Sequence, residues 1–201
     1  MKFRQCLRQN WARKSLLGLA LTSLLVGCQQ ADKAQPQPVA TATTAAVSTM
    51  KPLTLTPGSI QPGLGIKEVK IGESKQNVEK AMGAPQGEDS NEFVKGQTYL
   101  LYNDKGIELI LQDNKVQAIT LHSENKDWKP YSGATDTGLG VSSTAAEVSE
   151  KMGTAEADAA RALRYPSKGI QFLFDVDRHD DGSQSRVESI IVHAPDKGQK
   201  K

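Results

Sequence analysis

The stretch VKIGESKQNVEKAMG, from Val69 to Gly83, decides the predicted fold because a second stretch matches it without a gap. That second stretch is LGVSSTAAEVSEKMG, from Leu139 to Gly153. Apolar, hydroxyl and glycine residues recur in the same order in both. Self-similarity of this kind indicates an internal repeat.

The match continues downstream of both stretches. Residues 102–107 align with residues 165–170 and share the run Lys-Gly-Ile, and residues 116–122 align with residues 187–193. One deletion and one insertion fall in loops. We therefore predict a duplication, with two units that have the same elements in the same order.

Each unit is predicted to begin with one short helix. Ser74 is a suitable N-cap, apolar residues follow at helical spacing, and Gly83 can end the helix before Pro85 blocks its continuation. In the second unit, Thr144 and Glu147 form a capping-box pattern.

Three strand candidates follow each helix. They cover residues 97–102, 107–111 and 116–122 in the first unit, and residues 161–165, 170–176 and 187–193 in the second. Residues 155–163 have a composition that favours helix, but the alignment favours a loop leading into a strand. The predicted fold class is α+β, with two tandem repeats, each a short helix packed on a three- to four-stranded antiparallel sheet.

The predicted domain organisation surrounds these repeats with other segments. It comprises a signal peptide at 1–27, a lipidated cysteine and disordered Ala/Thr/Pro/Gln linker at 28–57, a first repeat at 58–125, an inter-repeat linker at 126–136, a second repeat at 137–195 and a disordered tail at 196–201. The linker has few large apolar residues to offset its ordering entropy. A glycan-bearing Thr/Pro-rich segment is the alternative for it.

The N-terminus has the form of a secretory signal. Five basic residues precede an apolar run from Leu16 to Val26, which ends in Gly27 and Cys28. This resembles the bacterial lipoprotein signal, and the resemblance implies cleavage before Cys28 with acyl chains on that residue. Gln29 resembles the outer-membrane sorting signal of enteric bacteria. The expected location is therefore the cell envelope, lipid-anchored at the periplasmic face of the outer membrane. The alternatives are an uncleaved signal anchor and an ordinary signal peptide with a chance cysteine.

Charge and cysteine content restrict the function further. Removing residues 1–27 leaves 20 basic and 23 acidic residues, so the formal charge changes from +2 to −3. That balance argues against a nucleic-acid partner. The mature chain keeps one cysteine, Cys28, so no intrachain disulfide is expected.

The motif from Ile71 to Pro85, followed by a tyrosine-containing strand and two further strands, resembles the BamE/SmpA/OmlA-type lipoprotein domain. Two such units in tandem also resemble the β-lactamase inhibitor protein. These resemblances cover about residues 64–194. They imply non-enzymatic protein binding through the sheet or its edges. The second copy departs from the motif at Ser142 and Ala155.

One polar run matches the spacing of a calcium-binding loop. Asp177, His179, Asp181 and Glu188 occupy ligand positions of the EF-hand pattern, with histidine at the third position. The run lies between two strands rather than two helices, so a solvated hairpin loop is the favoured interpretation. His122 and His193 are paired by the repeat and suggest either a metal-binding or pH-sensitive pair, or two exposed strand ends.

Aromatic residues give the last candidate sites. Tyr102 and Tyr165 are paired by the repeat and indicate sheet packing or a shared recognition surface. Trp128 and Tyr131 lie in the predicted linker, where aromatic residues either lock the two units together or contact a partner. No catalytic or cofactor-binding pattern stands out, and we expect no cofactor. We predict a membrane-anchored, non-enzymatic protein-binding or assembly module. The alternatives are a protein inhibitor or ligand-sequestering module that uses a concave sheet formed by both repeats, and a hydrolase or calcium-dependent enzyme.

Overall fold

The computed structural model describes residues 53–176 and 184–197. The predicted signal peptide, Cys28, the linker up to residue 52, the loop residues 177–183 and the tail residues 198–201 lie outside the described residues. Within the described ranges, no helix has the length and apolarity that crossing a membrane requires.

The described residues form a mostly β fold with two antiparallel sheets. The smaller sheet pairs β1 with β2, and we call the eight-stranded sheet the main sheet; its strand order is β3-β4-β5-β6-β10-β9-β8-β7. The strands are β1 (Ile60–Gln61), β2 (Gly65–Ile66), β3 (Gly87–Ser90), β4 (Gln97–Tyr102), β5 (Ile107–Gln112), β6 (Lys115–His122), β7 (Ala157–Ala159), β8 (Ala162–Tyr165), β9 (Ile170–Phe174) and β10 (Val187–His193).

Two α-helices lie within the described residues, α1 (Lys75–Met82) and α2 (Ala145–Met152), together with a short 3₁₀ helix, Pro166–Lys168. The Ser74 side chain caps α1 by accepting a hydrogen bond from the backbone N–H of Asn77. Thr144 and Glu147 form the reciprocal capping box of α2. Both predicted helix starts are therefore confirmed.

The prediction of two tandem helix-on-sheet units is wrong, because both sets of strands belong to one main sheet. Strand β6, the last of the first set, pairs antiparallel with β10, the last of the second. Left apart, each of these apolar strands would expose an unpaired edge. Pairing them satisfies the backbone N–H and C=O groups of both edges. The sequence pattern showed where the strands lie but carried no local signal of this pairing.

One face of the main sheet holds the hydrophobic core, and we call it the core face. It carries the fully buried side chains Leu100, Tyr102, Leu109, Ile119, Leu121, Tyr165, Phe172, Ile190 and Val192. Val78 of α1 and Val148 of α2 belong to the same hydrophobic cluster as these side chains. The two helices therefore stabilise one common core, rather than one core each.

The edge strands β3 and β7 were not predicted. Residues 87–90 read Gly-Glu-Asp-Ser and residues 157–159 read Ala-Asp-Ala, so neither has the apolar alternation that indicates a strand. Strand β3 pairs with β4, and β7 pairs with β8. The segment predicted as a loop before β8 is therefore an edge strand followed by a tight turn.

The segments predicted as linkers contribute to the folded part. Leu53 packs against the core, and the N–H of Thr56 donates to the carbonyl of Ser132 at 2.7 Å. Within 126–136, Tyr131 and Ala134 are buried, and the Ala134 carbonyl accepts from the N–H of Ile60 at 2.9 Å. The folded part thus begins before residue 58, and the connection between the two sets of strands is packed.

Candidate functional site

The second face of the main sheet carries no helix in the described part of the chain, and we call it the open face. Side chains that are directly opposite across paired strands share a face, so the strand register defines its members. In the four central strands they are Glu108, Ile110, Ala118, Thr120, His122, Ser189, Ile191, His193, Gln171 and Leu173. All ten side chains are buried or half-buried, because each is flanked by neighbouring strands.

The middle of the open face mixes aliphatic and polar side chains that are closely packed by their neighbours. Thr120 is 7% exposed and pairs with the half-buried Ile191. Glu108 on β5 lies opposite Thr120, and Gln171 on β9 lies opposite Ile191. The half-buried Ile110 and Leu173 are diagonal neighbours of the pair. Aliphatic and polar side chains that alternate in this way also occur at protein interfaces.

His122 forms the most structured polar cluster of the open face. Its Nε2 lies 3.1 Å from Oε2 of Glu108, and the two side chains are 16% and 23% exposed. The carboxylate can only accept, so the imidazole donates from Nε2. The indole of Trp128 stacks on the imidazole with ring centroids 4.1 Å apart and an angle of 12° between the planes. The hydrogen bond and the ring stacking fix the orientation of the Glu108 carboxylate and of the Trp128 indole near one end of the open face.

The loop that carries Trp128 is held by asparagine side chains. Oδ1 of Asn125 accepts hydrogen bonds from the backbone N–H groups of Asp127 and Trp128, at 2.9 and 3.0 Å. Nδ2 of Asn103 donates to the carbonyl of Asp127 at 2.9 Å. Trp128 is therefore positioned over the sheet by its own loop. Between the two alternatives left open by the sequence, its position favours a contact surface over a lock between separate units.

The two histidines paired by the sequence match do not form one site. His122 pairs in register with Ser189, four residues from His193 on the same strand, which corresponds to about 14 Å along the strand. Nδ1 of His193 lies 2.7 Å from the carbonyl oxygen of Ala194. At this separation the two imidazoles cannot share a metal ion, so that hypothesis is wrong.

Tyr102 and Tyr165 belong to the core face rather than to a recognition surface. The Tyr102 hydroxyl donates to the carbonyl of Gly83 at 3.0 Å, and the Tyr165 hydroxyl donates to the carbonyl of Gly153 at 2.9 Å. Burial, and then the charge of Glu79, raises the pKa of Tyr102. Each tyrosine thus fastens the C-terminal end of a helix to the sheet.

Tyr131 is also structural, because it lies in the segment that joins β6 to α2 and its side chain is buried. Burial contributes most to the rise in the pKa of Tyr131, followed by the charge of Glu68 and a hydrogen bond to that carboxylate. The neutral phenol is therefore the form that the folded chain holds.

Only part of the predicted calcium-binding loop lies within the described residues. Asp177, His179 and Asp181 lie outside the described residues. Glu188 is described, and its Oε2 lies 3.3 Å from Nη2 of Arg161 in an exposed ion pair. In the ranges 53–176 and 184–197, no group of three or more His, Cys, Asp or Glu side chains is placed to hold a metal ion.

Sequence reasoning predicted a second contact face only for β6, through Ala118 and Thr120, and missed Glu108 and Ile191 on the neighbouring strands. The signal for that face is that Ile119 and Leu121 alternate with Ala118 and Thr120, so β6 is partly apolar on both faces. A strand with two apolar faces predicts contact on both sides. The sequence did not reveal that β10 completes the second face.

Comparison with known proteins gave matches at the level of structure only. No family model matches the sequence, and no curated protein matches it. One matching structure is an extracellular protein containing an SCP domain from Bacillus anthracis str. Ames, with a TM-score of 0.39 and 14% identity, covering 62% of this chain and 44% of that one. Another is a cysteine-rich secretory protein from Staphylococcus aureus subsp. aureus Mu50, with a TM-score of 0.42 and 11% identity, covering 69% of this chain and 50% of that one.

The resemblance to BamE-like repeat lipoproteins is wrong, because no family model matches the sequence and both sets of strands form one sheet. The neighbours are SCP-domain and cysteine-rich secretory proteins, not BamE-like repeat lipoproteins, and they do not show lipid attachment. The chain spans about half the length of these structures. The motif misled because Gly-x-Ser, a valine at helical spacing and Met-Gly describe a capped amphipathic helix, and any fold can contain one.

Proposed function

We propose that this protein is a non-enzymatic binding protein that acts outside the cytoplasm and holds a protein partner against its open face. The partner contacts Ile191 with its diagonal aliphatic neighbours and the cluster of Glu108, His122 and Trp128. The same geometry suits a protein inhibitor or a ligand-sequestering module, which differ only in what the bound partner does.

The observation that carries this proposal is the asymmetry of the main sheet. Its core face contains the hydrophobic cluster with Val78 and Val148, whereas its open face has no covering helix among the described residues. Exposed sheet faces of soluble proteins usually read as strictly polar. Here aliphatic and aromatic side chains lie beside an oriented carboxylate–imidazole pair, as at protein interfaces.

The sheet edges favour binding through the face over binding by strand addition. Edge strand β3 carries Glu88 and Asp89, and edge strand β7 is three residues long and carries Asp158. Short strands with charged side chains discourage pairing with another chain. This argument favours the inhibitor or sequestering mode over an assembly role that uses strand edges.

The proposed location is the cell envelope, with lipid on Cys28 as the anchor. The description of the Bacillus anthracis protein as extracellular is compatible with an extracellular or envelope location. The lipid attachment rests on the signal sequence that ends in Gly27 and Cys28.

Site-specific photocrosslinking in the producing cells tests this function. A benzophenone side chain at Ile191 samples the centre of the open face, and one at Gln76 samples the exposed side of α1 as the matched control. We expect a protein adduct from position 191 and none from position 76. Adducts of equal yield from both positions, or from neither, would contradict a binding role for the open face.

A further inference from the structure

The turn that joins β3 to β4 presents the most exposed large apolar side chain among the described residues. Phe93 is 95% exposed and the neighbouring Val94 is 43% exposed. Single exposed apolar residues are common on protein surfaces. Two adjacent ones at the tip of a turn, one of them aromatic, form a protruding apolar surface that needs a further explanation.

The tip is held rigidly by Asn91. Oδ1 of Asn91 accepts hydrogen bonds from the backbone N–H groups of Phe93 and Val94, at 2.9 and 3.2 Å. Nδ2 of the same residue donates to Oε1 of Gln97 at 2.5 Å and to the hydroxyl of Tyr99 at 3.1 Å. Ordering before contact lowers the entropy lost on binding. The conformation that exposes Phe93 is thus built into the turn.

The tip is continuous with the open face. Tyr99, which anchors Asn91, pairs in register with Ile110 and shares the open face with it. On the other side, the N–H of Asp113 donates to the carbonyl of Gly96 at 2.9 Å. A partner seated on the open face would therefore meet Phe93 at one end of the same surface.

The surroundings of the tip are acidic. Three exposed carboxylates, Asp89, Glu92 and Asp113, lie near it, against two exposed lysines, Lys95 in the turn and Lys115 two residues after Asp113. Glu88 is separate, because it already accepts from Nζ of Lys75 at 2.6 Å. Three carboxylates beside an aromatic tip complement a pocket with a basic border and oppose insertion into an anionic lipid surface.

We propose that the Phe93–Val94 tip is a preformed anchor that inserts into an apolar pocket, bordered by Lys or Arg, on the protein held by the open face. This inference rests on the proposed function and adds the chemistry of the partner. Aromatic side chains that fill pockets commonly dominate the affinity of an interface.

Photocrosslinking of the full-length protein in its own cells tests the anchor. A benzophenone side chain replaces Phe93 in one variant and Leu64, 62% exposed in another turn, in the control. We expect the probe at position 93 to label the same protein as the probe at position 191, and the probe at position 64 not to label it. The peptide labelled from position 93 should line an apolar pocket with a basic border. An adduct with phospholipid, or with a protein surface that has no such pocket, would overturn the anchor.

The pattern of adducts separates this inference from the proposed function. Labelling from position 191 without labelling from position 93 overturns the anchor and leaves the binding role of the open face. Absence of labelling from both positions overturns both. With the recovered partner, Phe93→Ala should weaken binding about 30-fold, the scale of an interface hot spot. Leu64→Ala should change it less than twofold, and equal losses in the two variants would contradict the anchor.

Discussion

The backbone of Thr120 pairs with that of Ile191 at the centre of the main sheet, and the same two residues correspond in the alignment of the two halves of the sequence. A residue that pairs with its own counterpart lies beside a local two-fold axis. The neighbouring pairs agree, because Ile119 faces Val192 and Leu121 faces Ile190. The sequence match and the strand order therefore describe one symmetric sheet, and the open face is centred on its axis.

Removing the hydroxyl of either core tyrosine should destabilise the fold by a similar amount. Tyr102→Phe and Tyr165→Phe each remove one hydrogen bond to a helix-end carbonyl, at 3.0 and 2.9 Å. We expect a loss of about 1 kcal/mol in the free energy of unfolding for each. Urea titrations of both variants measure it. A cost above 2 kcal/mol for one variant with none for the other would contradict equivalent roles.

The double variant gives the matching control. The two hydroxyls bond to different helices, so their costs should add within about 0.5 kcal/mol. A single cooperative transition should persist in all three variants, because α1 and α2 share one hydrophobic cluster. Two separate transitions would indicate two independent cores.

Stability should decrease above pH 10 through Tyr131. Burial, together with the charge and hydrogen bond of Glu68, raises the pKa of Tyr131 in the folded chain. The unfolded chain releases the phenolic proton near the ordinary pKa of about 10, so it binds fewer protons than the folded chain above that pH. The stabilisation is complete below pH 10 and is lost as the pH rises.

Urea titrations between pH 8 and pH 11 check this dependence. Tyr131→Phe should make the decrease above pH 10 less steep, and the part that remains includes the contribution of Tyr102, whose pKa burial also raises. A decrease of the same steepness in wild type and Tyr131→Phe would show that the buried phenol is not responsible.

Cys28→Ser should release the protein from membranes. The acyl chains expected on Cys28 supply the proposed attachment, at about 0.8 kcal/mol for each buried methylene. Fractionation of cells that produce the wild-type and variant chains measures the change, and Cys6→Ser is the matched control because residue 6 precedes the predicted cleavage site. Continued membrane association of Cys28→Ser would contradict the lipid anchor.

Local elements were predictable because their signals lie within a few residues of each other. The helix starts were predicted from Ser74, Thr144 and Glu147, and the capping hydrogen bonds of these residues occur as expected. Strands β4, β5 and β10 alternate apolar residues clearly enough to be placed from sequence. Edge strands β3 and β7 were missed because their exposed side chains are polar or small.

The overall architecture was not predictable, because it depends on a pairing between segments about 70 residues apart. Nothing within Lys115–His122 or Val187–His193 specifies the partner strand. The same gap explains the missed open face, since Thr120 and Ile191 form its centre only after β6 and β10 meet. His122 and His193 each end their strand, and β6 and β10 run antiparallel. The two histidines therefore lie at opposite ends of the strand pair.

The central claim is that both halves form one continuous sheet, on which the proposed binding face depends. Oxidation of the variant Thr120→Cys, Ile191→Cys tests it most directly, in a Cys28→Ser background that leaves no other cysteine after the predicted cleavage site. Opposite residues on antiparallel strands have Cα atoms about 4.5–5.5 Å apart, within disulfide reach. We predict rapid disulfide formation for this pair and none for Thr120→Cys with Gln171→Cys, whose residues lie two strands apart. Failure of the first pair to oxidise, or equal oxidation of both pairs, would contradict the account.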